Sequence, residues 1–371
     1  MTRASSASVE IAPAVMGSSA AFAEGLLAPT FWLADQLRRW QAHALGQLGI
    51  APKECDYRVL VSSEHWRVRE YIGLGDGPPL LIVAAPIKQP YIWDLAPDVS
   101  PIRYCLAQHF RVYLLEWLPP RPGRESGGLS DYAGRWIGEA AAAVSRAANG
   151  AKPFLLGHSL GGTLAALFAA SGTEAIGGLA LISAPLSFEP GCSTFRDAIV
   201  AMASRCDLSA NIIPGSLLSQ FSALASPDTF VWSRLIDAGL SLSDRRASAV
   251  HALVERWALD EVPLPGRLFR EILEWLYRDN SFCVGTLRIN GKSVRPSSLR
   301  LPALAVVNIA DRLAPPASVA PVAAAMPHAG WQLIEYPGEI GVGMQHVALL
   351  VGRQAHRRVW PEIVAWLRAR G

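Results

Sequence analysis

The chain has 371 residues, of which 51% are hydrophobic and 18% charged, and its formal net charge is +3. This composition excludes a disordered chain, and the absence of a long basic block leaves nucleic-acid binding without support. No apolar run reaches the roughly 18 residues that cross a bilayer. The cysteines, Cys55, Cys105, Cys192, Cys206 and Cys283, are widely spaced with no C-x-x-C. They read as reduced thiols in a cytosolic protein, with no metal site.

Met1 to Ala23 is rich in Ala and Ser without a basic start and a solid apolar block, so it reads as a disordered leader, not a signal peptide. Residues 24–50 form an amphipathic helix, with Leu33, Leu37, Trp40, Ala44 and Leu48 at helical spacing. That stripe is expected to pack on the domain. Residues 51–371 form the domain itself. Tyr57 to Tyr71 alternates around a polar turn at 62–65, which fits a hairpin. Leu80 to Ala84 is wholly apolar and reads as a central strand buried on both faces. Helical and strand patterns then alternate: a short helix at 103–108, a strand at 112–117, a helix at 132–148, a strand at 154–156 and another at 178–182. This rhythm predicts an α/β fold with a mostly parallel, doubly wound sheet. The rhythm breaks over about 188–299, where apolar spacing is helical and aromatic residues are dense. Each aromatic alone is ordinary core; together they predict a helical lid over an apolar chamber. Strands resume at 303–309 and 331–336, and a helix at 354–370 closes the chain.

The run Phe154 to Ala165 carries Gly157-x-Ser159-x-Gly161 between a strand and a helix. That context presents a serine as a nucleophile on a sharp turn whose neighbours must be small. The Leu160 backbone N–H, at the start of the helix, is then placed for a developing oxyanion. A serine hydroxyl needs an imidazole to take its proton and a carboxylate to orient that imidazole. With this motif the chain order is Ser, acid, His. Asp311 follows the 303–309 strand, and His346 follows the last strand, both where such groups collect in open sheets. The competitors are weaker. His356 beside Arg357 and Arg358 reads as a surface residue, His328 lies at the wrong end of a strand, and His158 is turned away from the site in a structural role. His109 and His251 fit helices, and Asp260 and Asp279 belong to the lid. The second oxyanion donor is assigned to Ile87, because Pro86 before it has no N–H.

These residues resemble the polyhydroxyalkanoate synthases of the α/β-hydrolase superfamily, especially the shorter class that works with a partner subunit. The matching runs cover about Pro52 to Gly371. They include Pro79 to Asp94, the strand Val112 to Trp117, Asp207-Leu208, Pro214-Gly215 and Glu255-Arg256-Trp257. The loop Asp311 to Ser318 is similar to the family's catalytic-Asp loop, and His346 through Leu367 to its catalytic-His loop and last helix. The resemblance implies an α/β-hydrolase fold with Asp311 and His346 in catalytic roles and no cofactor. It also implies a 3-hydroxyacyl-CoA or a 3-hydroxyalkanoate oligomer as substrate. A homo-oligomer or a small partner subunit, and a cytoplasmic location that includes the surface of polymer granules, follow from the same likeness.

Two departures stand out. The family nucleophile is usually Cys in G-x-C-x-G, whereas here it is Ser159, and the segment Glu339 to Gln345 before His346 is longer. The first has chemical content. A cysteine acyl-enzyme is a thioester, so transfer to a hydroxyl is downhill; a serine acyl-enzyme is already an oxygen ester, and water competes. The expectation is therefore acyl transfer with hydrolysis favoured. The alternatives are a true synthase using Ser, and a catalytically idle partner subunit whose 31–48 helix is the interaction face.

Overall fold

The computed structural model describes residues 17–121, 123, 126–172, 175–204, 210–326 and 330–371. Residues 1–16, Cys206, Asp207-Leu208 and His328, which the sequence reading singled out, lie outside these described residues. The hairpin forms from β1 (Tyr57–Ser62) and β2 (Trp66–Tyr71), antiparallel about the turn expected there. Next come β3 (Pro79–Val83), α2 (Pro101–Ala107), β4 (Arg111–Trp117), α3 (Ile137–Ala147), β5 (Phe154–His158), α4 (Leu160–Ala170) and β6 (Gly178–Ile182). After a long helical segment, β7 (Ala303–Asn308), α11 (Ala320–Ala325), β8 (Trp331–Tyr336), α12 (Ala348–Val351) and α13 (Arg353–Arg368) complete the chain.

One eight-stranded sheet results, with strands in the order β1-β2-β4-β3-β5-β6-β7-β8. The pairings from β4 through β8 are parallel, and β1 and β2 add an antiparallel edge. The inner strands are buried along their whole length, as continuous Leu, Ile, Val and Ala runs require when both faces are covered. Order reverses beside β3: β4 lies on one side of it and β5 on the other. The loops leaving the C-terminal ends of β3 and β5 therefore part there and open a crevice, where ligands bind in sheets of this kind.

Between β6 and β7 run α5 (Thr194–Ala203), α6 (Gly215–Ala225), α7 (Ser233–Ser241), α8 (Arg245–Leu259), α9 (Gly266–Glu271) and α10 (Ser281–Val284), matching the break in rhythm read from the sequence. The turns 228–232 and 272–278 are π-helical.

α1 (Gly17–Gln47) departs from expectation in two ways. It begins at Gly17, so residues 17–23 are helical; the stretch holds three alanines and no proline. The helix also turns its polar side inward. Leu33, Leu37, Trp40 and Leu48 are each more than half exposed, while Asp35 and Ala42 are buried. Polar bonds explain the orientation. The Asp35 carboxylate accepts from Gly215 N at 3.2 Å and Ser216 N at 2.6 Å, capping α6. Ser216 Oγ donates to Phe31 O at 2.7 Å, and Arg256 Nε to Ala42 O at 3.1 Å. Four such directed bonds outcompete the burial of an isolated stripe.

Candidate active site

Ser159 sits between the last residue of β5 and the first of α4, at φ 54° and ψ −135°. A non-glycine residue adopts this region at a cost of about 1–3 kcal/mol, which the surroundings must over-determine. The surrounding glycines do so. A Cβ on Gly157 would lie 2.5 Å from Gly162 Cα, and one on Gly162 would lie 2.5 Å from Ala184 Cβ. On Gly161 it would collide with the Val83 carbonyl oxygen of β3. The motif is thus a packing requirement between helix α4 and strands β3 and β5, and it holds Ser159 at the cavity wall.

The structure brings Ser159, His346 and Asp311 together. His346 Nε2 lies 2.8 Å from Ser159 Oγ, and His346 Nδ1 lies 2.7 Å from Asp311 Oδ2. A carboxylate at Nδ1 holds the proton on that nitrogen, so Nε2 is left to accept from the serine hydroxyl. Asp311 is buried. Burial alone would raise its carboxyl, but the charge and hydrogen bond of His346, with the backbone N–H groups of Leu313 and Ala314, more than offset this and hold it below the usual carboxylate range. Leu313 N donates to Asp311 Oδ1 at 2.8 Å and Ala314 N at 3.3 Å.

The loop that carries His346 is clamped by groups whose contribution the sequence reading missed. Asn308, fully buried at the end of β7, donates from Nδ2 to Gln345 O at 2.7 Å. His158 donates from Nε2 to His346 O at 2.8 Å, and its ring lies 4.8 Å from that of His346. Burial drives the His158 imidazole down to about 3, with His346 beside it acting in the same direction, so it stays neutral. His158 keeps the structural role expected of it, positioning the backbone of the residue that faces Ser159, but it is not turned away from the site: it lines the same cavity beside His346. The extra residues 339–345 reach toward the helical segment, where Gly343 N donates to Asp237 Oδ2 of α7 at 3.1 Å.

The competitors are placed elsewhere. His356 is a correction to its surface reading: it is half-buried, donates to Leu350 O at 2.8 Å and stacks on Trp360, and burial lowers it to about 4. Position beside two arginines suggested solvent, but the helix turns this residue toward α12. His251 Nε2 pairs with Arg234 O, His109 adopts φ 64° after α2, Asp260 pairs with Tyr91, and Asp279 with Arg278. Among the described residues no cluster of His, Cys, Asp or Glu could hold a metal.

Ser159 and His346 open on a cavity of about 190 Å³ between the sheet edge and the helical segment. Its walls are mostly apolar, including Trp93, Phe188, Phe230, Trp257 and Tyr277. Ile87 and Leu160, the expected oxyanion donors, both line it. The arrangement can deprotonate a serine and receive an acyl chain in an apolar chamber.

A family model described as alpha/beta hydrolase fold matches residues 93–212. Among solved structures, a monoacylglycerol lipase from Paleococcus ferrophilus superposes with a TM-score of 0.52 at 16% identity, covering 83% of this chain and 100% of that one. A soluble variant of monoglyceride lipase from Saccharomyces cerevisiae gives a TM-score of 0.54 at 12% identity, covering 86% and 95%. The chain is an enzyme of the α/β-hydrolase fold. Over most of its length it is also similar to poly(3-hydroxyalkanoate) polymerase subunits. The poly(3-hydroxyalkanoate) polymerase subunit PhaC of Haloferax mediterranei is 28% identical over 79% of this chain and 59% of its own length. The same subunit from Allochromatium vinosum is 25% identical over 79% and 81%, and from Synechocystis 25% over 87% and 86%. The match thus spans about three fifths of the haloarchaeal relatives. Among the described residues no helix is long and apolar enough to cross a membrane.

Proposed function

We propose that this chain is a serine-nucleophile acyl-transfer enzyme that takes the acyl group of a 3-hydroxyacyl ester or thioester and passes it to water or a hydroxyl, with hydrolysis favoured. The observation that carries this reading is the hydrogen-bonded chain Ser159–His346–Asp311 at the floor of an apolar cavity. Ser159 Oγ attacks the substrate carbonyl while its proton passes to His346 Nε2. The Leu160 and Ile87 N–H groups hold the oxyanion. As the carbonyl re-forms, the thiolate or alkoxide departs with the proton from His346, leaving an oxygen ester on Ser159. Water or a hydroxyl then gives its proton to His346 and attacks that ester; as the acyl product leaves, Ser159 Oγ takes the proton back from His346. Asp311 stays ionised and steadies the imidazolium formed in each half.

The second reading is a polymerase that uses Ser, and the polymerase names of the relatives favour it. One experiment separates the two. The full chain is supplied with 3-hydroxybutyryl-CoA and the products are resolved by mass spectrometry. Free CoA with monomeric acid is expected; oligomer as the main product sinks hydrolysis, and no Ser159-dependent release of CoA sinks both. Substitution Ser159→Cys turns the covalent intermediate into a thioester and is expected to raise the share of oligomer.

A further inference from the structure

α7, continuous with the π-helical turn 228–232 before it, turns its polar side inward as α1 does. Phe230 and Arg234 line the cavity, and Arg234 pairs with Glu255 of α8. Asp237 is buried and holds Gly343 N in the loop that leads to His346. The outward side is apolar. Trp232, Leu235, Ile236 and Leu240, with Leu242 just past the helix, are each more than half exposed. Trp232, Ile236 and Leu240 are spaced one turn apart, with Leu235 beside them, so they form one continuous stripe. A single exposed apolar residue is ordinary, but a stripe of this length with an indole in it marks a contact surface.

The charges around the stripe say what covers it. It runs directly into Arg245 and Arg246, which are exposed and form no ion pair among the described residues. Every acid from 228 to 249 is already engaged. Asp228 pairs with Arg312, Asp237 accepts from Gly343 N, and Asp244 caps α8 and pairs with Arg353. The rim therefore offers two free guanidinium groups and no free carboxylate. A second copy of this face would bring no acid for those arginines to meet. An anionic lipid surface satisfies both parts: indole and aliphatic groups enter the boundary between headgroups and acyl chains, and the guanidinium groups meet phosphates.

We propose that the outer face of α7, with Arg245 and Arg246, is a docking surface for an anionic phospholipid bilayer. Docking sets the cavity wall at Phe230 and Arg234, and the His346 loop held by Asp237, one helix behind the membrane surface. The surface stands apart from the acyl-transfer reading, because binding tests it without turnover.

The test is flotation of the full-length chain with vesicles of phosphatidylcholine alone and of phosphatidylcholine mixed with phosphatidylglycerol. Binding to the mixed vesicles is expected to be about tenfold tighter or better, as two arginines at an anionic surface imply. Trp232→Ser with Ile236→Ser is expected to weaken that binding about tenfold. Arg245→Gln with Arg246→Gln is expected to bring the two kinds of vesicle near parity, and carries the test if the first pair does not fold. Leu37→Ser with Trp40→Ser, on the exposed stripe of α1, is the control and is expected to leave the preference for mixed vesicles in place. No flotation with the mixed vesicles, binding unchanged by the substitutions on α7 and at the two arginines, or a loss confined to the α1 pair overturns the docking surface. A dimer in sedimentation velocity that Trp232→Ser with Ile236→Ser dissolves also overturns it, and gives the face to a second copy.

Discussion

The sheet with its elbow and the helical segment above it are held by different means. In the sheet, position follows from backbone geometry: buried strands at fixed register, and glycines where α4 presses on β3 and β5. In the segment 194–284 with α1, position follows from side-chain bonds between residues far apart in sequence, such as Asp35 to α6 and Arg38 to Ser219. The first kind of order is stiff and local, and suits a nucleophile whose atoms must meet within tenths of an ångström. The second can be rearranged by changing a few polar groups, and suits a wall that need not hold atoms so closely.

Four experiments bear on this contrast, taken from the largest effect. Ser159→Ala is expected to lower the rate of CoA release from 3-hydroxybutyryl-CoA about 10⁴-fold, leaving the fold intact by circular dichroism. A rate close to wild type would separate the strained elbow from chemistry. The second concerns the His346 clamp. His158 stays neutral down to about pH 3 in the fold, against an ordinary value of 6.5. Between these values the unfolded chain binds the extra proton, so stability is complete above pH 6.5 and falls as pH drops. Relative to His158→Gln, urea melts of the wild type are expected to lose about 1.4 kcal/mol per pH unit through that window.

Gly161→Ala follows. The added methyl meets the Val83 carbonyl, and urea melts are expected to show a loss of about 1–3 kcal/mol. If Gly161→Ala melts like the wild type, the elbow is not the stiff region described. The smallest effect tests the segment. Asp35→Ala is expected to lose about 1 kcal/mol with the α6 cap, while Leu37→Ser, on the exposed stripe, stays within about 0.5 kcal/mol. The reverse order would place the packed face of α1 on its leucines.

Legibility in the sequence divides along the same line. Strands of pure Leu, Ile and Val, the polar hairpin turn and the G-x-S-x-G-G run are local signals, and the structure places those elements within a residue or two of their expected bounds. Ser159, Asp311 and His346 could be set in order because each ends a strand or follows one. The face that α1 buries was not legible. Helical spacing of Leu33, Leu37 and Trp40 favours an apolar contact, and nothing local reveals that Asp35 caps a helix 180 residues later. Asn308 and His158 were missed as clamps for a related reason: each bonds to a backbone carbonyl, which has no residue type to read.

The Asp35 cap also bears on how the chain assembles. During synthesis α1 is made first, but the helix it caps appears some 180 residues later and the Arg38 partners later still. Until then the inward face of α1 has neither the α6 amides nor the Ala258 carbonyl to bond. Contacts of such sequence separation form late, because loop closure must come before them. The nascent sheet can therefore collapse around β3, β4 and β5 while α1 waits. Docking of the N-terminal helix is therefore expected after the sheet forms, and a chaperone that holds α1 is expected to delay closure of the cavity more than formation of the elbow.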